Sequence, residues 1–351
     1  MSGPVVSSTA SPARTQAPAD LSKNETPYPP LPAIQRLVRE GAGALHRYPD
    51  FGAGELTAGL ADLIGVGRDS ILVGPGSAAL CQHLLQALGP QSEVVYPALT
   101  FEGYPLLIRN AGARGVPVPM DGYRPDLAAM AAAVTSSTRC VLLCNPNNPT
   151  GAVLHHGELA DFLSRVPPDL PVVIDEAYRE FVTDTDAADG LRLYRASSSV
   201  CLLRTFSKAY ALAGLRVGYA VVPPRLAAAA RVLGVVFFPG SLAQAAALAS
   251  LQPAVQARLR RRWAALCAER DELITALRGL GLPVAPSQGN FIWLPLGTLA
   301  TQFAEHAAAA GIRVWTVDGE GVRITIGSAP ARRRLLELSA EWERGQCALR
   351  G

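Results

Sequence analysis

The chain has 351 residues, enough for one large or two medium domains with a well-buried core. Hydrophobic residues make up 49% of it and charged residues 17%, which excludes a disordered chain as the main body. The net charge of +3 provides no basic field for nucleic acid, and no stretch of about 18 residues is free enough of charges and helix breakers to span a membrane. Composition therefore favours a globular protein that acts on small molecules, with no nucleic-acid or membrane partner.

The N-terminal 20 residues are rich in Ser, Thr, Pro and Ala and lack the basic start and apolar core of a secretion signal. We predict a disordered leader over 1–20 and an N-terminal arm over 21–44. The six cysteines form no CxxC pair, and most lie in apolar runs, which predicts core residues in a reducing cytoplasm. The histidines show no ligand spacing, so we predict no metal site.

From about residue 71 to 222, short apolar runs alternate with helical patterns, which is typical of an α/β fold. Strands are predicted at 71–74, 93–96, 115–119, 140–144, 172–174, 200–203 and 217–221. The helices between them include about 78–88, 127–133 and 156–164. Near-continuous hydrophobicity of the strands predicts a mostly parallel seven-stranded sheet with helices on both faces.

After two prolines at 223 and 224, the pattern predicts helices over about 227–235 and 242–280. Shorter strands follow at 290–294, 311–317 and 322–326, with a closing helix over 331–344. We therefore predict a large domain over 45–240 and a small α+β domain over 241–351. Trp293 and Trp315 are interpreted as packing residues of the small domain.

The lysine count singles out one residue. Of the 32 basic residues, 30 are Arg, and only Lys23 and Lys208 are lysines. Arginine neither forms a stable imine with an aldehyde nor loses its proton near neutral pH, whereas a desolvated lysine does both. Lys208 therefore indicates a chemical role, although a surface lysine left by chance is the alternative.

Hydroxyls and a guanidinium accompany Lys208 in TFSKAYALAGLRVGYA, residues 205–220. Thr205, Ser207 and Arg216 lie between two predicted strands, so we expect them at one end of the sheet, where they could bind a phosphate. An ordinary helix with Ser207 as N-cap is the alternative. It would place the Lys208 cation in the first turn, where the helix dipole disfavours it.

Three further segments place polar groups after predicted strands. VVIDEAYREF at 172–181 ends a strand with Asp175, which could hold a protonated ring nitrogen or Mg²⁺, although no Walker A loop supports the metal. CNPNNPTG at 144–151 either presents amide side chains or is a turn alone. ILVGPGSAAL at 71–80 leads into Ser77 at a helix start, where free backbone amides bind anions.

Together these segments supply an imine-forming lysine, an acid, amides and a phosphate site, which are the groups that pyridoxal 5′-phosphate requires. Their order also makes the chain resemble the class I/II aminotransferases of fold type I. Within them it resembles the histidinol-phosphate aminotransferase family, from about residue 21 to 328. The resemblance implies a pyridoxal-phosphate enzyme.

The resemblance implies a role for each matching residue. Lys208 would bind the cofactor covalently and move the substrate's α-proton. Asp175 would pair with the pyridine nitrogen, Asn148 and Tyr178 would bond the phenolic oxygen, and Phe101 would stack on the ring.

The same resemblance implies how the charged ends of cofactor and substrate are bound. Arg323 in GVRITIG would bind the substrate carboxylate. The phosphate would be held by Ser77, the Ala78 amide, Thr205, Ser207, Arg216 and, from a second subunit, Tyr48 of RYPD. The last assignment implies a homodimer with shared active sites.

The substrate is approached through differences within the family. Histidinol-phosphate enzymes usually carry an Arg shortly after an NFIL-like strand, where GNFIWLPL has Pro295, as in the aromatic and phenylalanine aminotransferases. EVVYPALTFEGYPLL also resembles that subgroup. The resemblance therefore favours an aminotransferase for an aromatic or other bulky α-amino acid, with a 2-oxo acid as acceptor.

Three departures from the subgroup lie near the expected substrate. Phe237 and Phe238 stand where an FGVS-like stretch is usual, GPGSAA replaces GNGS, and NETPY at 24–28 replaces NENP. We expect Asn24, Phe237 and Phe238 to contact the substrate. A lyase on the same cofactor, by β-elimination such as C–S cleavage or by decarboxylation, is the alternative function, and drift in loops would explain the departures equally well.

Overall fold

The computed structural model describes residues 19–350, and the side chains of residues 19–346. The strands in this range are β1 (Ala19–Asp20), β2 (Ile71–Gly74), β3 (Glu93–Pro97), β4 (Arg114–Val118), β5 (Met120–Asp121), β6 (Arg124–Pro125), β7 (Thr138–Cys144), β8 (Val172–Asp175), β9 (Val200–Thr205), β10 (Gly218–Val221), β11 (Phe291–Leu294), β12 (Ile312–Arg313), β13 (Trp315–Val317) and β14 (Gly321–Thr325). The helices are α1 (Pro32–Gly41), α2 (Gly54–Ile64), α3 (Ser77–Ala87), α4 (Tyr104–Asn110), α5 (Leu127–Ala132), α6 (His156–Arg165), α7 (Gly190–Ala196), α8 (Pro224–Arg231), α9 (Ser241–Ser250), α10 (Pro253–Gly279), α11 (Ala300–Ala309) and α12 (Ala329–Arg350).

The central sheet has seven strands in the order β2-β10-β9-β8-β7-β3-β4. β10 runs antiparallel to β9 and β2, while every other neighbouring pair is parallel. Strands β2, β3, β7, β8 and β9 therefore all end at one edge of the sheet, and β10 begins there. The predicted α/β fold with a mostly parallel seven-stranded sheet is confirmed.

Both faces of this sheet are buried, which explains why its strands are almost continuously apolar. Successive residues of a strand point to opposite faces. Along β7, Cys140, Leu142 and Cys144 pack in one core with residues of α3, α4 and α8. Val141 and Leu143 pack in the other core, with residues of α2, α6 and α9.

A second, three-stranded antiparallel sheet has the order β11-β14-β13 and shares a core with α10, α11 and α12. Leu21 packs into that core, and β1 pairs in parallel with β12. The predicted leader is corrected here, because Ala19 and Asp20 already form a strand. Residues 1–18 of the leader lie outside the described residues.

Two predicted elements are each divided in the structure. The helix predicted over 242–280 is two helices, because Pro253 occupies the first turn of α10 and cannot continue the preceding helix. The strand predicted over 311–317 is β12 and β13, which pair with β1 and β14 respectively. Sequence periodicity also left α1, α2, α4, α7 and α11 unassigned.

The packing of one helix bears on the predicted domain boundary at residue 240. Helix α9, predicted to open the small domain, packs against α1 and α2 in a core of the large sheet. The domain bounds stay a prediction.

Cys81, Cys140, Cys144, Cys201 and Cys267 are buried free thiols. A membrane-spanning helix is absent from residues 19–350, where each helix is too short or too polar.

Candidate active site

A cavity of about 360 Å³ lies at the edge where the parallel strands end. Its wall contains most of the predicted site residues, namely Asn24, Ser77, Ala78, Phe101, Asn148, Asp175, Tyr178, Thr205, Ser207, Lys208, Arg216 and Arg323. Most of them meet because each of the five segments that follow β2, β3, β7, β8 and β9 starts at this edge, and Arg216 lies two residues before β10. Asn24 and Arg323 come from the N-terminal arm and the small sheet. Ligands of open α/β sheets bind at such an edge.

An anion site occupies one end of the cavity. Helix α3 begins at Ser77 after Gly76, and no side chain caps its first amides. The Arg216 guanidinium donates a hydrogen bond to the Ser207 hydroxyl at 3.1 Å. A Cβ on Gly76 would lie 2.5 Å from the Arg216 guanidinium, so glycine is what lets that side chain approach the helix start.

The close approach of β10 to the same helix completes the anion site. A Cβ on Gly218 would lie 2.7 Å from the Ser77 amide nitrogen. Residues 206–208 form bends, so no helix begins at Ser207 and the capped-helix alternative is wrong. Free amides, hydroxyls and a guanidinium together form a site for a phosphate dianion.

Asp175 ends β8, and its carboxyl group is buried in the cavity wall. The Ala177 amide donates to Oδ1 at 3.1 Å. Burial raises the pKa of Asp175 to about 7, and the neighbouring Glu176 carboxylate adds to the rise. A cation placed beside this group would lower its pKa and stabilise the anion, which suits Asp175 to a protonated ring nitrogen.

Glu176 is held away from the cavity by a buried ion pair. Arg204 on β9 donates from Nε to Glu176 Oε2 at 2.7 Å, and the Gly190 amide donates to Oε1 at 3.2 Å. These contacts satisfy both carboxylate oxygens inside the protein. The pair fixes the turn after β8, so of the two neighbouring acids Asp175 lines the cavity and Glu176 does not.

Lys208 places its amine in the same cavity, where Nζ donates to the Lys23 carbonyl oxygen at 2.8 Å. Burial, followed by the positive charge of Arg323, lowers the pKa of Lys208 to about 8. The carboxylates of Glu25 and Glu102 act in the opposite direction. A large fraction of the amine is consequently neutral near pH 8, which is the form that attacks an aldehyde.

Polar groups for the cofactor ring come from three segments. The Asn24 amide donates to the Tyr178 hydroxyl at 3.0 Å, and Asn148 donates to Glu102 at 3.3 Å. Burial raises the pKa of Tyr178, so its hydroxyl stays protonated and remains a donor. The Phe101 ring packs edge-on against Tyr104, with centroids 5.4 Å apart, and lines the cavity.

Arg323 lies on the central strand of the small sheet and is buried at the cavity wall. Its guanidinium donates to the side-chain oxygen of Asn148 and to the Ser22 carbonyl. The Glu102 carboxylate lies 3.9 Å from Nη1 of Arg323. The hydrogen bonds to Asn148 and Ser22 use two of the five N–H groups of the guanidinium, so donors remain on its terminal nitrogens for a further anion.

Tyr48, Phe237 and Phe238 do not line this cavity in the described chain. All three are exposed, and Tyr48 stacks on Phe237 with ring centroids 4.6 Å apart. Their assigned contacts with phosphate and substrate stay predictions, which require a second subunit for Tyr48.

Sequence reasoning missed Glu102 and Trp315. Glu102 follows Phe101 directly, so its place after the same strand was the available signal. The packing role predicted for Trp293 is confirmed by its 1% exposure. The same prediction for Trp315 is corrected, because Trp315 is only half-buried and lines the cavity. Pairing 311–317 with 322–326 as a hairpin would have placed it beside Arg323.

The groups present fit pyridoxal 5′-phosphate. The anion site would hold its phosphate, Asp175 would face the ring nitrogen, Tyr178 and Asn148 would offer hydrogen bonds, and Lys208 would supply the reactive amine. The topology and the cavity together define an enzyme of the pyridoxal-phosphate fold type I class.

The chain belongs to the aminotransferase class I and II family, whose model matches residues 18–338. It is 46% identical over 326 residues to an aromatic amino acid aminotransferase of Streptomyces coelicolor, covering 92% of this chain and 90% of that one. It is 47% identical over 310 residues to the Thermobifida fusca protein of the same name, covering 88% and 86%.

A solved structure agrees with the family. The histidinol-phosphate aminotransferase of Sinorhizobium meliloti in complex with pyridoxal 5′-phosphate superposes with a TM-score of 0.86 at 27% identity, covering 94% of this chain and 92% of that one. The predicted family, cofactor and enzyme class are confirmed: the protein is a pyridoxal-phosphate-dependent aminotransferase.

The lowered pKa of Lys208 is testable in the apoenzyme. The neutral amine reacts with an acylating reagent, so the acetylation rate of Lys208 should reach half its plateau near pH 8. An ordinary lysine titrates at about 10.4. Peptide mass spectrometry after brief labelling from pH 6 to 11 separates Lys208 from Lys23, the other lysine of the chain.

A variant tests one of the charges that set the pKa of Lys208. Glu102→Gln removes a carboxylate that raises the pKa of Lys208, so the midpoint of labelling should move to lower pH. A wild-type midpoint near 10 would contradict the burial argument.

Proposed function

We propose that the protein transfers the α-amino group of an aromatic amino acid to a 2-oxo acid. The position of Arg323 carries the proposal, because this guanidinium lines the same cavity as Lys208 and Asp175 and uses only two of its five N–H groups in the described contacts. A carboxylate bound there holds its α-carbon beside the reactive amine. The names of the Streptomyces and Thermobifida relatives support an aromatic substrate.

Each group of the chain has a defined task in this reaction. Pyridoxal 5′-phosphate, when bound, supplies an aldehyde for the amino group and a ring that accepts the electrons of a broken bond at Cα. The anion site fixes its phosphate, and Asp175 keeps the ring nitrogen protonated. Arg323 would orient the substrate. Nζ of Lys208 would take the α-proton from the amino acid and, in the second half of the reaction, return a proton to the α-carbon of the oxo acid.

Amino transfer is distinguished from elimination by its products. Holoenzyme with phenylalanine and 2-oxoglutarate should give equal amounts of phenylpyruvate and glutamate, with no ammonia or carbon dioxide, measured by chromatography and an ammonia assay. Lys208→Arg keeps the charge but cannot react with an aldehyde, so turnover should fall at least about a thousandfold.

Two outcomes of that experiment would refute the proposal. Release of ammonia or carbon dioxide as the main product would establish a lyase on the same scaffold. Turnover of phenylalanine no faster than that of alanine would refute the aromatic substrate while leaving amino transfer intact.

We also propose a homodimer with shared active sites. Exposed apolar side chains lie close together on the described chain, namely Leu45, Tyr48, Phe51, Val235, Val236, Phe237 and Phe238. Large exposed apolar patches mark protein interfaces. Tyr48, with 81% of its surface exposed, would reach the phosphate of the neighbouring subunit from this patch, as the family resemblance implies.

Subunit mixing tests the shared site. In a hybrid of Tyr48→Ala and Lys208→Ala subunits, one site combines an intact Lys208 with an intact Tyr48, while the other site lacks both. Because half of randomly mixed dimers are hybrids with one intact site of two, activity should recover to roughly a quarter of wild type. No gain over the average of the two parent variants, with dimers confirmed by sedimentation, would mean that Tyr48 acts in its own subunit or not at all.

The remaining features of organisation are proposals as well. We propose a cytoplasmic location, supported by the five buried free thiols. We keep the two-domain division, supported by separate cores around the two sheets. The packing of α9 on the large core favours a boundary after residue 250 rather than at 240.

A further inference from the structure

A row of three large side chains crosses one face of the small sheet. Arg323 on β14 pairs directly with Trp293 on β11 and with Trp315 on β13. Directly opposite residues of antiparallel strands project from the same face. Trp293 is 1% exposed, whereas Trp315, on the edge strand, is half-buried and lines the cavity. The row therefore ends in the cavity with the indole of Trp315.

Trp315 lies directly beside the group that binds the substrate carboxylate. The guanidinium carbon of Arg323 is 5.5 Å from the Trp315 ring centroid and 5.8 Å from that of Phe291. Phe291 is fully buried, so Trp315 is the ring of this pair that a ligand can touch. An aromatic side chain on the α-carbon of a carboxylate held by Arg323 could therefore approach Trp315 to the separation of about 4.5–7 Å between centroids that is typical of aromatic pairs.

The other aromatic side chains of the cavity already have a task. Within the described residues, the aromatic side chains that line the cavity are Phe101, Tyr178 and Trp315. Phe101 and Tyr178 are the residues for the cofactor ring. Trp315 is therefore the aromatic surface that remains for the substrate side chain.

The described cations of the cavity already have partners or tasks. Its cations in the described chain are Lys23, Lys208, Arg216 and Arg323. Lys208, Arg216 and Arg323 serve the cofactor and the α-carboxylate, and Lys23 pairs with Asp20 at 3.4 Å. Glu25 and Glu102 add negative charge to the wall, so an uncharged side chain is opposed less there than a second carboxylate is.

We propose that Trp315 is a specificity-determining residue that contacts the substrate side chain and selects a planar apolar group. The inference rests on the proposed function, because it takes Arg323 as the carboxylate site. A stacked indole also holds the guanidinium in place, so the test must separate side-chain recognition from positioning of Arg323.

Binding of two unreactive carboxylates to the holoenzyme makes that separation. Isothermal titration calorimetry gives dissociation constants for 3-phenylpropionate, which has an aromatic group, and propionate, which lacks it. Trp315→Ala should weaken 3-phenylpropionate about tenfold and change propionate less than about twofold. Trp315→Phe should restore most of the loss because it keeps an aromatic face.

Two further variants complete the design. Tyr123→Ala removes an exposed aromatic ring outside the cavity and should leave both dissociation constants unchanged. Trp315→Leu keeps an apolar side chain on the strand and is measured where Trp315→Ala does not fold, with the same selective loss expected. The ratio of kcat/KM for phenylalanine to that for alanine should fall in parallel with the binding ratio.

Each other outcome overturns the inference. Equal weakening of both carboxylates would reduce Trp315 to a positioning residue for Arg323, and no weakening would leave it without a role. If wild-type enzyme binds 3-phenylpropionate no more tightly than propionate, the aromatic substrate of the proposed function fails with it. If Trp315→Ala keeps the wild-type preference for 3-phenylpropionate over propionate, the proposed role of Trp315 is refuted while the proposed function stands.

Discussion

Because β2, β3, β7, β8 and β9 run in one direction, each delivers the segment that follows it to the same edge of the sheet. Ser77, Phe101, Asn148, Asp175 and Lys208 are far apart in the chain and meet only for this reason. The antiparallel β10 starts at that edge and brings Arg216 to it. The arrangement of the site residues therefore depends more on the common direction of these strands than on any single contact between side chains.

Burial then makes the two central groups reactive. The pKa of Asp175 rises to about 7 and that of Lys208 falls to about 8, and desolvation is the first cause of both shifts. Each group is held near its point of titration, where a bound partner decides its charge. A cationic ring nitrogen makes Asp175 an anion, and a nearly neutral Lys208 can bind an aldehyde and carry a proton.

The strand pattern predicted that Ser77, Asp175 and Lys208 would lie at one end of the sheet, because each follows an apolar run, whereas their roles toward the cofactor came from the family resemblance. Asp175 and Lys208 needed no tertiary information beyond strand order. Trp315 could not be found in the same way, since its place beside Arg323 depends on the register of a hairpin whose first strand had been merged with β12. Tyr48 is harder still, because its predicted partner belongs to another subunit.

The central claim is that Lys208 is the amine that binds the cofactor, and reduction of the holoenzyme tests it most directly. Borohydride fixes the bond between a protein amine and pyridoxal 5′-phosphate, and peptide mass spectrometry then locates the label. The chain has two lysines, so the answer is nearly binary. We predict one label per subunit, on Lys208, and none in Lys208→Arg. A label on Lys23, or no label on either lysine, would contradict the account.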